Sequence, residues 1–334
     1  ELECLKRELE DRYSFANIIG TGPRMQEIFD LTERLSDTDT SVLIQGESGT
    51  GKELVARALH YHSPRKDKPF MKINCAALPD PLLESELFGY EKGAFTGATQ
   101  RKPGKFKLAD GGTLFLDEVA ETSAAFQAKL LRVVQDLEIE PLGGTSVEKV
   151  DVRILAATNK DLKAEAEAGR FREDLYYRLC VVPVHLPPLR ERKEDIPLLI
   201  DHCLERVVKK YPTRSGKKPI FSPQAMAAIM DYDWPGNIRE LENAVERSVV
   251  CSTGGMIDAS ILPREVREPA LQTLPSREPM TRPRHDPMDW DQAVKIRETL
   301  SQCEGNKTRA AKILGMSRTT LWRKLREIER ARFH

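Results

Sequence analysis

Eight consecutive residues, Gly46-Glu47-Ser48-Gly49-Thr50-Gly51-Lys52-Glu53, follow the apolar run Val42-Leu43-Ile44 and lead into Val55, Ala56 and Leu59 at helical spacing. Glycines let the backbone curl so that successive N–H groups point inward. A following helix N-terminus and Lys52 add positive potential suited to the β- and γ-phosphates of a nucleotide. One position departs from the usual phosphate-binding loop: the Ser or Thr after the lysine, whose hydroxyl would ligate magnesium, is Glu53. Mg2+ would then be held through water, through Thr50 or by other carboxylates. Alone, the octapeptide could equally be a glycine turn that binds nothing.

Those carboxylates lie about 65 residues past Lys52, where the apolar run Gly111-Gly112-Thr113-Leu114-Phe115-Leu116 ends in Asp117-Glu118. A strand beside the loop would bring Asp117 to the magnesium shell and let Glu118 polarise an attacking water. Paired acids at a strand end are common, but their pairing with an upstream phosphate loop makes ATP hydrolysis the expected chemistry. Asn74 and Thr158-Asn159 also end apolar runs; either asparagine could join the site or simply cap a following helix. Arg172 and Arg178 flank an apolar and acidic stretch, Glu173 to Tyr177. An arginine there could pair locally with Glu173 or Asp174, or reach the γ-phosphate of a neighbouring subunit.

Positioning these groups requires a sheet. Val42–Ile44, Phe70–Ile73, Thr113–Leu116, Val152–Leu155 and Val181–Val184 read as buried strands, alternating with helical segments such as Glu53–His60 and Ala124–Leu137. That alternation predicts an α/β domain with a parallel sheet covered on both faces. From about Asp195 to Thr253 strands give way to three helices, Ile196–Lys210, Pro223–Asp231 and Asn237–Cys251, a small helical subdomain. Pro263 to Met288 holds six of the chain's 21 prolines and reads as an extended linker. Upstream, Leu2, Leu5 and Leu9 form one helical stripe, either half of a paired helix or an ordinary linker helix.

The 334 residues suggest about two domains of ordinary size. Their 40% hydrophobic content contains no run of about 18 apolar residues, so no membrane span is expected. Six widely spaced cysteines form no close pair and read as reduced thiols in the cytoplasm. The formal charge is zero, with 52 basic residues against 52 acidic ones, which argues against nucleic acid only if the charge is evenly spread. It is not: Gly305 to His334 holds nine basic residues and two acidic ones, a net +7, so the remaining 304 carry −7. In that basic segment Asn306 is placed to cap a helix through Leu314, Gly315-Met316 makes a turn, and Ser317 is placed to cap a second helix. Ala310, Ala311, Leu314, Leu321 and Leu325 give an apolar interface. Arg318, Thr319, Thr320, Trp322, Arg323 and Lys324 stay on or near the outer face. This is the spacing of a helix-turn-helix whose second helix enters the major groove of double-stranded DNA.

A further segment, Glu91-Lys92-Gly93-Ala94-Phe95-Thr96-Gly97-Ala98, contains the hexapeptide GAFTGA. Gly93, Ala94, Gly97 and Ala98 are too small to shield Phe95, so the loop would present a lone ring and Thr96, unless Phe95 folds back as an anchor. With this hexapeptide the chain from about Ile18 to Arg330 resembles the NtrC-like bacterial enhancer-binding proteins, AAA+ activators of sigma-54 RNA polymerase. The resemblance implies an AAA+ P-loop ATPase core over residues 18–190, a helical lid over 191–260, the proline-rich linker over 261–288 and a Fis-type DNA-binding domain over 289–334. Residues 1–17 would be a linker from a missing regulatory domain. It further implies Lys52 on the phosphates, Asp117 on magnesium, and Glu118 activating water, restrained by Asn74. Asn159 with Thr158 resembles sensor I, Arg172 and Arg178 the paired arginine fingers, and Arg239 sensor II. Ile18, Ile19 and Ile238 would line the adenine pocket. Phe95 and Thr96 would touch sigma-54, Gly143-Gly144 would form a second pore-facing loop, and Glu53 ceases to be anomalous. Fingers acting in trans imply a homo-oligomer, in this family usually a hexameric ring. A replication initiator or helicase loader would also join AAA+ and DNA-binding modules, and a nucleotide-gated repressor would need no catalytic glutamate. Neither has a use for the hexapeptide.

Overall fold

The computed structural model describes residues 19–211, 218–252, 255–268, 296, 298–303, 306–316 and 321. The chain divides into two units, Glu1–Pro269 and Ala270–His334.

In the first unit five parallel strands form one sheet: β1 (Val42–Gln45), β2 (Phe70–Asn74), β3 (Thr113–Asp117), β4 (Arg153–Thr158) and β5 (Val182–His185), in the order β2-β3-β4-β1-β5. All five expected apolar runs are strands. Because strand side chains alternate between faces, each run serves two cores. Leu43, Leu114, Leu116, Ile154 and Ala156 join Phe126 and Leu130 of α3 (Ala124–Asp136) on one face. Val42, Ile44, Phe115, Leu155 and Ala157 meet α1 (Pro23–Ser36) and α2 (Lys52–Tyr61) on the other. Pro183 falls on β5, which among the described residues pairs with β1 alone, so its missing N–H interrupts no ladder between central strands.

Arg153 is buried at the start of β4, where a charged group looks out of place. Its guanidinium donates to the carbonyls of Leu35 (2.8 Å) and Ser36 (3.3 Å) at the end of α1, and of Leu59 (3.4 Å) near the end of α2. These carbonyls are acceptors that helix ends leave open, and a cation suits that pole of the helix. Burial lowers its pKa to about 10. The residue thus fixes from below the helix whose upper end begins at Lys52.

The lid consists of α4 (Ile196–Lys210), α5 (Pro223–Asp231) and α6 (Asn237–Cys251), bounds that agree with the sequence reading. Trp234 is fully buried and donates through Nε1 to the Ile229 carbonyl at 2.9 Å. The boundaries differ from expectation at both ends. Leu189 belongs to the lid core, and so do Leu262 and Val266, the latter on a helical turn Arg264–Arg267 inside the stretch read as linker. Apolar residues three and four apart pack there despite Pro263, which sits just before the turn and is tolerated in that position. A two-residue parallel pair, Ile220–Phe221 with Met256–Ile257, also lies where no strand was expected.

In the second unit, helix Lys307–Ile313 begins after Asn306, whose Oδ1 accepts from the Arg309 N–H at 3.2 Å. Gly315 turns the chain with φ +64. Ala310, Ala311 and Leu321 are buried with Ile296 and Cys303, and Leu314 packs against them. Arg318, Thr319, Thr320, Trp322, Arg323 and Lys324 lie outside the described residues, as do Leu325, Ile18, the leucine stripe and the chain from 269 to 295. Among the described residues no helix is long and apolar enough to cross a membrane, and the five cysteines are unpaired.

Candidate nucleotide site and an exposed glycine loop

Four parallel strands end at one edge of the sheet, the usual ligand edge of such folds. β1 delivers the phosphate loop, β3 delivers Asp117 and Glu118, β4 delivers Thr158 and Asn159, and β2 delivers Asn74. Gly49 and Gly51 have φ +82 and +104, conformations that a side chain disfavours, and together they turn the loop into α2. Lys52 Nζ, buried, donates to the loop carbonyls of Gly46 (2.8 Å) and Glu47 (3.2 Å) and lies 3.7 Å from Glu118 Oε1. Burial lowers its pKa, while Glu118 and Asp117 work in the opposite direction.

Glu118 has φ +53, a costly conformation for a residue with a side chain, which re-aims it out of the strand. Its Oε2 accepts from the backbone N–H of Asn159 at 3.2 Å. Asn74 does not hold it here. The Asn74 Oδ1 accepts from the N–H groups of Ala76 (2.9 Å) and Ala77 (3.1 Å), the capping alternative, although Asn74 lines the same cleft. Glu53 is held by Arg57 one helical turn on and by Lys72 of β2 at 2.5 Å.

The cleft has a volume of about 780 Å³, in the range that small-molecule sites occupy. Ile19, Met25, Leu186 and Ile238 line an apolar part of it, and Lys52, Asp117 and Glu118 a charged part. Among the described residues no cluster of three or more His, Cys, Asp or Glu exists that could hold a metal ion alone. The Thr50 hydroxyl already donates to the Glu47 carbonyl at 2.9 Å. The Asp117 carboxylate lines the cleft and would suit a hard cation shared with phosphate oxygens.

The lid closes on the loop directly. Ile238 N–H donates to the Gly49 carbonyl at 3.0 Å, and Arg239 Nη1 to Ser48 Oγ at 3.2 Å. Asn237, buried and with φ +54, donates through Nδ2 to the Ser48 carbonyl at 3.0 Å and to Glu47 Oε2 at 3.1 Å. Arg190 grips the Glu47 carboxylate with both Nη atoms, at 2.6 and 2.9 Å. Sequence reading missed Arg190, Asn237 and Arg192. The last is buried, donates to the Thr50 carbonyl at 3.0 Å, and has its pKa lowered by burial against the pull of Asp195 and Glu194. Nothing in the charged run Arg190 to Asp195 distinguishes a buried arginine from a solvated one.

Arg172 and Arg178 are both exposed, and neither lines the cleft of its own chain. Arg172 pairs with Asp174 through Nε (3.0 Å) and Nη2 (2.7 Å).

The hexapeptide occupies an exposed loop between Gly89–Tyr90 and Lys102–Pro103, which pair antiparallel. Gly93 and Gly97 have φ +86 and +108, and Gly93 N–H donates to the Ala98 carbonyl at 2.8 Å. Thr96 is exposed, and Phe95 is 46% exposed. The Phe95 ring also rests edge-on against Tyr90 with centroids 5.0 Å apart, so the ring is both presented and braced. Pro141-Leu142, without a reading in the sequence, lies at the loop's base. Leu142 N–H donates to the Gly89 carbonyl (2.9 Å), and its carbonyl accepts from Glu91 N–H (3.0 Å). Gly143 follows so closely that an added Cβ would lie 2.8 Å from that of Ala94.

The strand carrying the carboxylates is not beside the loop strand as the sequence suggested, because β4 lies between β3 and β1. A parallel sheet of this order, a phosphate loop after its first strand, paired carboxylates at the end of β3 and a helical lid define a P-loop ATPase fold of the AAA+ class. Comparison with known proteins narrows the class. Residues 18–185 match the sigma-54 interaction domain, 190–279 the AAA+ ATPase lid domain and 292–327 the bacterial regulatory proteins of the Fis family. The chain is 49% identical over 307 residues to a Nif-specific regulatory protein of Enterobacter agglomerans, covering 92% of this chain and 58% of that protein. It is 50% identical over 312 residues to the transcriptional regulatory protein ZraR of Salmonella typhimurium, covering 92% and 68%. Its fold is similar to that of NtrX from Brucella abortus, solved in complex with ATP, with TM-score 0.71, 37% identity and coverage of 98% and 73%. The chain belongs to the sigma-54 interaction domain family. It spans little more than half the length of the Nif-specific relative.

Proposed function

We propose that this chain is the ATP-driven part of a sigma-54-dependent transcription activator. The observation that carries the reading is the pairing, in one domain, of a nucleotide cleft with an exposed GAFTGA loop. Lys52 and the loop N–H groups bind the phosphates, and Ile19 and Ile238, with Ile18, enclose the base. Glu118, held by the Asn159 N–H, accepts a proton from the attacking water. Asp117, with phosphate oxygens, would hold Mg2+, which would neutralise charge developing on the transferred phosphoryl group. Arg239 reports the nucleotide to the lid, and Asn74 exchanges its backbone partners for Glu118 in a different nucleotide state.

Arg172 and Arg178 act on the nucleotide of a neighbouring copy, in a ring. Gly93 to Ala98 contact sigma-54, with Phe95 and Thr96 at the tip, and the hydrolytic cycle remodels the closed polymerase complex into the open one. Arg318, Thr319, Thr320, Trp322, Arg323 and Lys324 face upstream enhancer DNA, and the protein acts in the cytoplasm. Steady-state ATP hydrolysis tests the enzymatic half. Wild type turns over; Arg178→Ala and Lys52→Ala alone are slower by about 10³-fold or more, as for arginine fingers in related phosphoryl transfers. Mixing the two variants restores part of the activity, because one intact finger meets one intact site. No turnover by wild type ends the enzymatic reading, and no rescue at any ratio ends the reading of fingers in trans.

A further inference from the structure

Between Leu189 and Ile196, both packed in the lid core, the chain makes two short turns that carry Arg192 and Asp195. Asp195 is 0% exposed and Arg192 2%, although such side chains are seldom buried so fully. As devices for stability they are poor, because Asp195 Oδ2 and Arg192 Nε have no hydrogen-bond partner and a buried group left so costs free energy. What they hold gives them another use.

Asp195 holds the strap of chain that enters α1. Its Oδ1 accepts from the Thr21 N–H at 2.7 Å, the Gly22 N–H at 3.3 Å and the Thr21 hydroxyl at 3.3 Å. Gly22 comes so near the same turn that an added Cβ would lie 2.3 Å from Glu194 Oε1. Ile19, two residues before Thr21, packs against the lid core and lines the cleft. Arg192 lines the cleft as well, donating to Sδ of Met25, another lining residue, at 3.2 Å and to the Thr50 carbonyl of the phosphate loop at 3.0 Å. One buried turn therefore reaches the apolar part of the cleft through the strap and the phosphate part through Thr50.

We propose that Asp195 is a positioning residue for the nucleotide base: by fixing Thr21 and Gly22 it seats Ile19 as a wall of the apolar part before the nucleotide arrives. Without it the strap must be ordered during binding, at a cost that falls on ligands with a base and spares a bare phosphate chain. Arg192 supports the phosphate end through Thr50, so its loss is felt by both kinds of ligand. The inference deepens the nucleotide-binding reading above and rests on it.

Isothermal titration calorimetry of the full chain with ATP and with inorganic tripolyphosphate, both with Mg2+ present, separates the two ends. Wild type should bind ATP the more tightly. Asp195→Ala should weaken ATP binding about tenfold, the size of one or two lost hydrogen bonds, and leave tripolyphosphate binding unchanged. Asp195→Asn keeps an acceptor oxygen for the strap and should bind ATP like wild type. Equal weakening of both ligands by Asp195→Ala, or of neither, overturns the proposal, and so does an Asp195→Asn protein as weak for ATP as Asp195→Ala. If the Asp195 variants do not fold by circular dichroism, Thr21→Pro decides, since it removes the donor of the shortest of the three bonds at an exposed residue. Selective loss of ATP affinity then supports the proposal, and equal loss or none overturns it. Absence of ATP binding by wild type, or binding no tighter than that of tripolyphosphate, removes the nucleotide reading itself, an outcome distinct from failure of the Asp195 variants to separate the two ligands.

Discussion

The phosphate loop and the 93–98 loop use glycine for opposite purposes. At Gly49 an added Cβ would lie 2.3 Å from the Gly236 carbonyl oxygen and 3.1 Å from Arg239 Cβ, so the absent side chain lets the lid touch the loop. At Gly93 and Gly97 an added Cβ would meet nothing within 4 Å. There glycine supplies positive φ at a tip that faces solvent. One loop is enclosed on several sides and shaped for a small polyanion. The other is clamped at its base by Leu142 and Gly143 and left open at Phe95 and Thr96, as suits contact with a macromolecule. Conformational freedom is spent on packing in the first case and on presentation in the second.

Substitution can break this contrast. Gly49→Ala combines a disfavoured φ with a clash against backbone, and should destabilise the domain by about 3 kcal/mol, read as a lower denaturation midpoint together with weaker nucleotide binding. Gly97→Ala meets no neighbour and carries only the backbone penalty, about 1–2 kcal/mol. A Gly97→Ala midpoint shifted further than that of Gly49→Ala would contradict the assignment of the two loops. Arg101→Ala should have the smallest effect. Arg101 pairs with Glu91 (2.9 Å) and Glu148 (2.7 Å) while 58% exposed, so its loss should cost less than about 1 kcal/mol and disappear at high salt. A larger, salt-insensitive loss would mean that the loop's base depends on charge and not on the Leu142 backbone bonds.

Much of the fold was legible because apolar periodicity is local. Five strands and three lid helices follow from it, and the phosphate loop and Asp117-Glu118 from spacing to those strands. The helix-turn-helix core was visible in the same way, through Ala310, Ala311 and Leu321. What escaped depends on distant partners. Arg192 meets the Thr50 carbonyl across 142 positions of sequence, and Arg153 meets Leu35 across 118, so a buried arginine and a solvated one look alike in a charged run. Pro141-Leu142 had no reading because its role is to supply backbone groups, which any residue carries. The choice of Asn74 between Glu118 and the Ala76 and Ala77 N–H groups is a matter of rotamer, which sequence does not encode. The lid's extension past Leu262 was hidden by the prolines that follow it.

On this reading the cleft and the exposed loop are two ends of one device. ATP-dependent open-complex formation with sigma-54 RNA polymerase, followed as promoter melting and compared between wild type and Thr96→Ala, tests it most directly. Wild type should open the promoter when ATP is hydrolysed, and Thr96→Ala should hydrolyse ATP without opening it. No opening by wild type, or equal opening by Thr96→Ala, would contradict it.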